Sequence, residues 1–155
     1  MSELKKEIRQ DRGFESLEQE THLNLQRTAS EINAPFVRLL KPHGLSLSLF
    51  NILRILRGQK GTGMSCSGIG GRMVTRDSDI TRLIDRLVKM DLVERSRSEE
   101  DRRVVLTRIN KRGLALLAEL DDPMRELHLR NLAHMTIEEK RQLNRLLEKA
   151  RSREI

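Results

Sequence analysis

The side chains in this chain best suited to chemistry are guanidinium groups. Arg76, Arg82 and Arg86 stand in one stretch with Ser78 and Asp79, and Arg102 and Arg103 follow a short distance on. A guanidinium pairs with phosphate oxygens or with the two acceptors of a guanine edge, so this pattern points to recognition of a polyanion. Other reactive residues form no catalytic set. Cys66 is the single cysteine, which permits neither an internal disulfide nor a cysteine-based zinc site. His22, His43, His128 and His134 lack close metal-ligand spacing, and the pairs Asp121-Asp122 and Glu138-Glu139 fit solvated helix ends. The run Gly68-Ile69-Gly70-Gly71 has no strand before it and no Gly-Lys-Ser/Thr after it, so it is not read as a phosphate loop. No Ser-His-Asp order stands out. The expectation is a binding protein rather than an enzyme, with no cofactor and no metal.

Composition narrows the partner. The 155 residues carry a net charge of +7, unevenly spread: residues 1–60 hold +3, residues 61–113 hold +4 and residues 114–155 hold none. So mild an excess makes no smooth basic groove, and contacts should come from a few arginines on defined elements. Phe14, Phe36 and Phe50 are the only aromatic residues, too few to read single strands by stacking bases on rings. Duplex DNA remains. Apolar runs such as Val104–Leu106 and Leu114–Ala118 fall far short of the ~20 residues that a membrane span needs. The charged start MSELKKEIRQDRGFE lacks the apolar centre of a signal peptide. A soluble cytoplasmic protein is expected.

The elements that must position these arginines are legible in the periodicity. Leu25, Ala29, Ile32, Phe36 and Leu40 recur as one helical stripe, with Pro35 predicting a kink. After Lys41-Pro42-His43-Gly44, Ser46 or Ser48 can cap a second helix with Leu49, Ile52, Leu53 and Leu56 on its apolar face. Residues 65–73 suggest a short helix despite three glycines. Ile80, Leu83, Ile84, Leu87 and Val88 then form the apolar face of a helix from Asp77 to Met90, capped by Thr75 or Asp77. The period changes at Leu92–Arg95 and Arg103–Ile109, which read as two strands joined by a charged connector. Asn110 caps a long helix with Pro123 inside it. Thr136-Ile137-Glu138-Glu139 is a capping box opening a last helix with Leu143, Leu146, Leu147 and Ala150 inward.

This order predicts a mainly α fold with a small β-hairpin wing: a winged helix-turn-helix over 46–112, flanked by long dimerisation helices at 17–45 and 113–152. In such a fold the second helix of the motif enters the major groove and the hairpin loop reaches the neighbouring backbone or minor groove. The run Asp79-Ile80-Thr81-Arg82-Leu83-Ile84-Asp85-Arg86-Leu87, then Leu92-Val93-Glu94-Arg95, Asp101-Arg102-Arg103 and Gly113 resembles the multiple-antibiotic-resistance regulator (MarR) family of bacterial transcription factors. The resemblance covers most of residues 20–150. It implies that Arg103 is the wing arginine that enters the minor groove, where a narrow groove concentrates negative potential. It also implies that Asp101 orients the wing by pairing with a nearby arginine. On the recognition helix Ser78 and Arg82 are the expected base-edge readers, and Arg76 and Arg86 the expected phosphate contacts. Arg102 belongs to the same contact set.

Four positions depart from the family pattern. The short helix reads Ile69-Gly70-Gly71-Arg72-Met73 where Leu-Ala-x-x-Leu is usual. Asp91 replaces the usual Gly before the first strand, Arg76 replaces a small capping residue, and Asp79 brings negative charge near the phosphates. Asp79 is therefore expected to accept from a cytosine amino group or to lower affinity. The surplus apolar residues Leu17, Leu23, Leu25, Leu143, Leu146 and Leu147 suggest a two-fold homodimer that spaces two recognition helices about one DNA turn (~34 Å) apart on a pseudo-palindrome. The resemblance further implies a small aromatic or carboxylate effector, with Phe36, His43, Phe50 and Arg54 as candidate lining. The combined expectation is a repressor of transcription. The alternative is a winged-helix protein–protein adapter, for which Asp77, Asp79, Glu99 and Glu100 speak.

Overall fold

The computed structural model describes residues 3–76 and 79–152. Seven helices and one hairpin occur among them: α1 (Glu3–Glu7), α2 (Leu17–Leu40), a 3-10 turn (Lys41–His43), α3 (Leu47–Arg57), α4 (Cys66–Gly70), α5 (Ile80–Lys89), β1 (Val93–Arg97), β2 (Val105–Ile109), α6 (Lys111–Asn131) and α7 (Ile137–Arg151). The fold is the winged helix between long helices that the periodicity predicts.

Most helices start where a short polar side chain can bond the first free amides. Ser16, Ser46, Ser65, Asn110 and Thr136 each accept from the backbone N–H three residues on, which settles the choice between Ser46 and Ser48. The capping box at Thr136 is complete, since the Glu139 carboxylate accepts from the Thr136 amide at 2.7 Å. α2 and α6 run unbroken across Pro35 and Pro123, although each proline removes one intrahelical donor.

The core lies where α3, α4, α5, α6 and the end of α2 converge on the hairpin. Leu40, Leu49, Ile52, Leu53, Leu56, Ile69, Ile84, Leu87 and Leu117 are wholly buried. Burying each such side chain contributes roughly 1.5–3 kcal/mol before the entropy cost of ordering it. The glycine-rich α4 holds its place because Ile69 is fully buried and Ser65 caps it. β1 and β2 pair antiparallel with Val93 opposite Ile109 and Arg97 opposite Val105. Met64 adds a one-residue third strand, exchanging both amide bonds with Thr107 at 2.8 and 2.9 Å.

Two backbone positions fix the approach of α6 to the wing. Asp91 adopts φ 56°, the left-handed conformation expected of the family's glycine and tolerable for aspartate. Its carbonyl accepts from the Asn110 side chain at 3.0 Å. Gly113 lies against the Leu92 carbonyl and the Ile109 side chain so closely that a Cβ there would collide with both.

Several expectations need correction. The recognition helix begins at Ile80 rather than Asp77, and Asp79 rather than Thr75 caps it; Asp77 lies outside the described residues. β2 begins at Val105, because the Val104 amide turns back to the Asp101 carbonyl and the Arg103 amide to the Asp101 side chain. α1 was not expected; it buries Leu4, and Glu7 lies 3.6 Å from Arg27 on α2. The inward face assigned to α7 is not inward within one chain. No residue of α7 is buried, and Leu146 is 56% exposed. The stripe of α2 likewise buries only Phe36 and Leu40 fully, with Ile32 partly covered against the core.

Candidate nucleic-acid interface

Three elements carry the predicted contact residues: the recognition helix, the turn before it and the wing. On the recognition helix α5, the Asp79 carboxylate accepts from the Arg82 amide at 3.1 Å and pairs with the Arg82 Nε at 2.9 Å. The Arg82 side chain is 87% exposed, so it projects from the first turn into solvent. Arg86, one turn on, donates from Nη2 to the Gly44 carbonyl at 3.1 Å. Part of its guanidinium is thus committed to the segment joining α2 to α3. Arg76 is exposed in the turn before α5. That turn is tethered by Asn51 of α3, whose side-chain oxygen accepts from the Val74 amide at 2.9 Å. Ser78 lies outside the described residues.

The wing is ordered by its own backbone. Ser98 donates its amide to the Val104 carbonyl, Val104 donates to the Asp101 carbonyl, and the Asp101 side chain accepts from the Arg103 amide at 2.9 Å. Asp101 therefore shapes the wing through a backbone bond. The expected ion pair between Asp101 and an arginine is not formed among the described residues, since the carboxylate is turned toward the loop amide two residues on, the usual geometry of an aspartate turn. Arg102 and Arg103 are exposed at the tip. Below them, a cleft of about 500 Å³ opens between α4, α5 and β2, with Cys66, Thr81, Arg95 and Arg103 on its walls.

Sequence reasoning passed over several residues that hold this surface together. Asp85 of α5 and Arg95 of β1 form an ion pair at 2.6 Å. Arg108 of β2 donates to the Ser96 hydroxyl at 2.8 Å and to the Thr62 carbonyl at 3.3 Å. Asn51 and Gly44 anchor the turn and Arg86. Opposite charges at 85 and 95 were the only available signal, and pairing across a helix and a strand is set by the packing. Away from this surface, Arg57 of α3 and Asp121 of α6 form a two-bond pair at 2.8 and 2.9 Å. The hydrogen bonds from Arg57 hold the Asp121 carboxyl below its ordinary range.

The candidate effector residues are not brought to one cavity. Phe36 is buried, its ring centroid 4.7 Å from that of His128. Phe50 and Arg54 edge a cleft of about 250 Å³ with Arg57, Asp121 and His128. His43 edges a separate one of about 290 Å³ with Met90, Leu92 and Arg112. Both phenylalanines belong to the hydrophobic core. Among the described residues no group of three or more His, Cys, Asp or Glu is placed to hold a metal. No helix there is long and apolar enough to cross a membrane.

A helix-turn-helix built by α4 and α5, followed by a hairpin bearing exposed arginines, defines a winged-helix protein. Comparison with known proteins gives the lineage. The MarR family profile matches residues 45–105, which span α3 to the wing. A MarR transcription factor from Planctomyces limnophilus is 40% identical, the alignment covering 88% of this chain and 98% of that one, with a TM-score of 0.66. The chain belongs to the MarR family. The HTH-type transcriptional repressor IacR of Pseudomonas putida is 33% identical over 111 residues, or 72% of this chain; the match spans 65% of that relative's length. A mutant MarR from Escherichia coli complexed with operator DNA shares the fold, with a TM-score of 0.77 over 97% of this chain and 100% of that one, at 21% identity.

Proposed function

We propose that the protein is a transcriptional regulator, a repressor, that binds a pseudo-palindromic DNA duplex as a homodimer. One observation carries the reading. Arg82 on the recognition helix and Arg103 on the wing both stand exposed on elements fixed to one core. This is the placement needed to read a major-groove edge and an adjacent minor groove. Arg76, Arg86 and Arg102 supply phosphate contacts around them, and Ser78 a base-edge contact. The apolar residues left uncovered on the outer helices, Leu17 (73% exposed), Ile137 (69%) and Leu146 (56%), favour a second copy of the chain as their cover. A small aromatic or carboxylate effector has a site of suitable size and charge in a cleft of about 440 Å³. Lys41, Gly44, Ser46 and Arg86 line it, between the end of α2 and the DNA-reading helix. That the named relatives are transcription regulators supports regulation as the role.

A mobility-shift titration tests this, using duplexes enriched from a random pool by the protein and repeated at two salt concentrations. With several phosphates contacted, affinity should fall by orders of magnitude between ~50 and ~200 mM salt. Arg103→Ala should weaken binding at both concentrations. Failure to enrich any duplex would overturn the reading.

A further inference from the structure

Asp79 poses a problem for a protein that binds a polyanion, because it sets a carboxylate at the mouth of the recognition helix. Its geometry supplies a reason. One carboxylate holds a single arginine at two places: one oxygen accepts from the Arg82 amide at 3.1 Å and the other pairs with the Arg82 Nε at 2.9 Å. We propose that Asp79 is a positioning residue that aims Arg82 at a guanine edge, so that it raises sequence discrimination at the expense of overall affinity. The inference rests on the DNA-binding reading above.

Nε is the donor nearest the arginine stem, and engaging it leaves the two terminal nitrogens of an 87% exposed side chain available to a ligand. Those two are the donors that match the paired O6 and N7 acceptors of guanine. An arginine with an 87% exposed side chain would otherwise sample many rotamers and lose that freedom on binding. With its Nε held by Asp79, the Arg82 side chain has lost part of it before DNA arrives. The carboxylate's repulsion of phosphate acts on every sequence alike, whereas the aim of Arg82 benefits only duplexes that place guanine beneath it. The two effects therefore separate in measurement.

Capping alone must be distinguished from aiming. Asparagine caps a helix as well as aspartate does, and its carbonyl oxygen can still accept from the Arg82 amide. It lacks the second anionic oxygen that holds Nε. The test uses the full chain and its Asp79→Asn, Arg82→Ala and doubly substituted forms. Dissociation constants are measured for a duplex enriched by the wild-type protein and for a scrambled duplex of equal composition. A thermal melt of Asp79→Asn near that of the wild type checks the cap.

The expected result is that Asp79→Asn binds the scrambled duplex as tightly as the wild type or more so. Its ratio of enriched to scrambled affinity should fall about two- to fivefold, the scale of one exposed ion pair holding the arginine in place. Replacing the contacted guanine by 7-deazaguanine, which lacks N7, should weaken the wild type more than Asp79→Asn. In the Arg82→Ala background, Asp79→Asn should leave the ratio unchanged. An unchanged ratio in Asp79→Asn alone would reduce Asp79 to a cap and overturn the proposal. So would a ratio that still falls without Arg82, since Asp79 would then read a base itself. A wild-type chain that enriches no duplex would remove the DNA-binding reading first, and this inference with it.

Discussion

Asp85 on the recognition helix and Arg95 on the first wing strand meet at 2.6 Å, and both side chains are partly exposed, at 45% and 33%. The pair links the element that would enter the major groove to the element that would reach the minor groove. Relative placement of the two is what a winged helix must hold constant for both to engage one duplex.

Breaking this link should therefore affect binding as well as folding. Asp85→Ala and Arg95→Ala should each lower stability by no more than ~1 kcal/mol, the range of partly exposed ion pairs. Affinity for an enriched duplex should fall by up to about fivefold for a loss of that size. A double-mutant cycle on the dissociation constants checks the assignment: the double variant should be no worse than the poorer single variant. Full additivity would show that the residues act separately.

Gly113 gives a prediction about packing alone. A Cβ at this position would strike the Leu92 carbonyl and the Ile109 side chain, so α6 must move away from the wing to admit it. Gly113→Ala should destabilise the chain by about 1–3 kcal/mol despite alanine's better helix propensity. Thermal unfolding should show a drop of about 2–4 °C per kcal/mol for a chain of this size. A melt equal to the wild type would mean that α6 has room to spare.

How much of this was legible follows the distance over which each feature is decided. The Thr136 capping box, the αL residue Asp91 and the apolar face of α5 with Ile84 and Leu87 buried depend on a few neighbouring residues, and the sequence shows them. The third strand at Met64, the Arg86 bond to Gly44 and the Arg57–Asp121 pair join positions far apart in the chain, and no local pattern encodes them. Asp79 was conspicuous as a charge in the wrong place, but its double hold on Arg82 needed the start of α5 to be fixed at Ile80. Phe36 and Phe50 are both buried in the core, Phe50 at the edge of a cleft as well, and no local pattern separates a core phenylalanine from one that lines a cleft.

The Arg57–Asp121 pair should make the packing of α3 on α6 sensitive to acid. Hydrogen bonding to Arg57 lowers the Asp121 pKa from its ordinary 3.8. A carboxylate whose folded value lies below its unfolded one contributes fully above the unfolded value, and the contribution fades as pH falls through the folded value. Asp121→Asn should therefore be less stable than the wild type near neutral pH, by under ~1 kcal/mol because the pair is partly exposed. The two urea midpoints should converge as the pH drops below 3.8. A gap that stays constant down to about pH 3 would assign the effect to something other than ionisation of this group.

The outer helices carry the remaining test. α7 buries none of its residues within one chain, and α2 leaves Leu17 at 73% and Leu25 at 39% exposed. Apolar area of this kind favours association by about 25 cal/mol per Å² removed from water, and a two-fold partner would cover it with the same surface of a second copy. Leu146→Glu, at a side chain 56% exposed in the single chain, should leave the monomer folded, because the site is open to solvent there. In a dimer the same change buries an unpaired charge, at a cost of several kcal/mol. Sedimentation should then show the wild type as a dimer and Leu146→Glu as a monomer with unchanged helix content. Its affinity for a full pseudo-palindrome should fall toward that for a half-site, since each monomer holds one recognition helix. A Leu146→Glu chain that remains dimeric would move the interface away from α7.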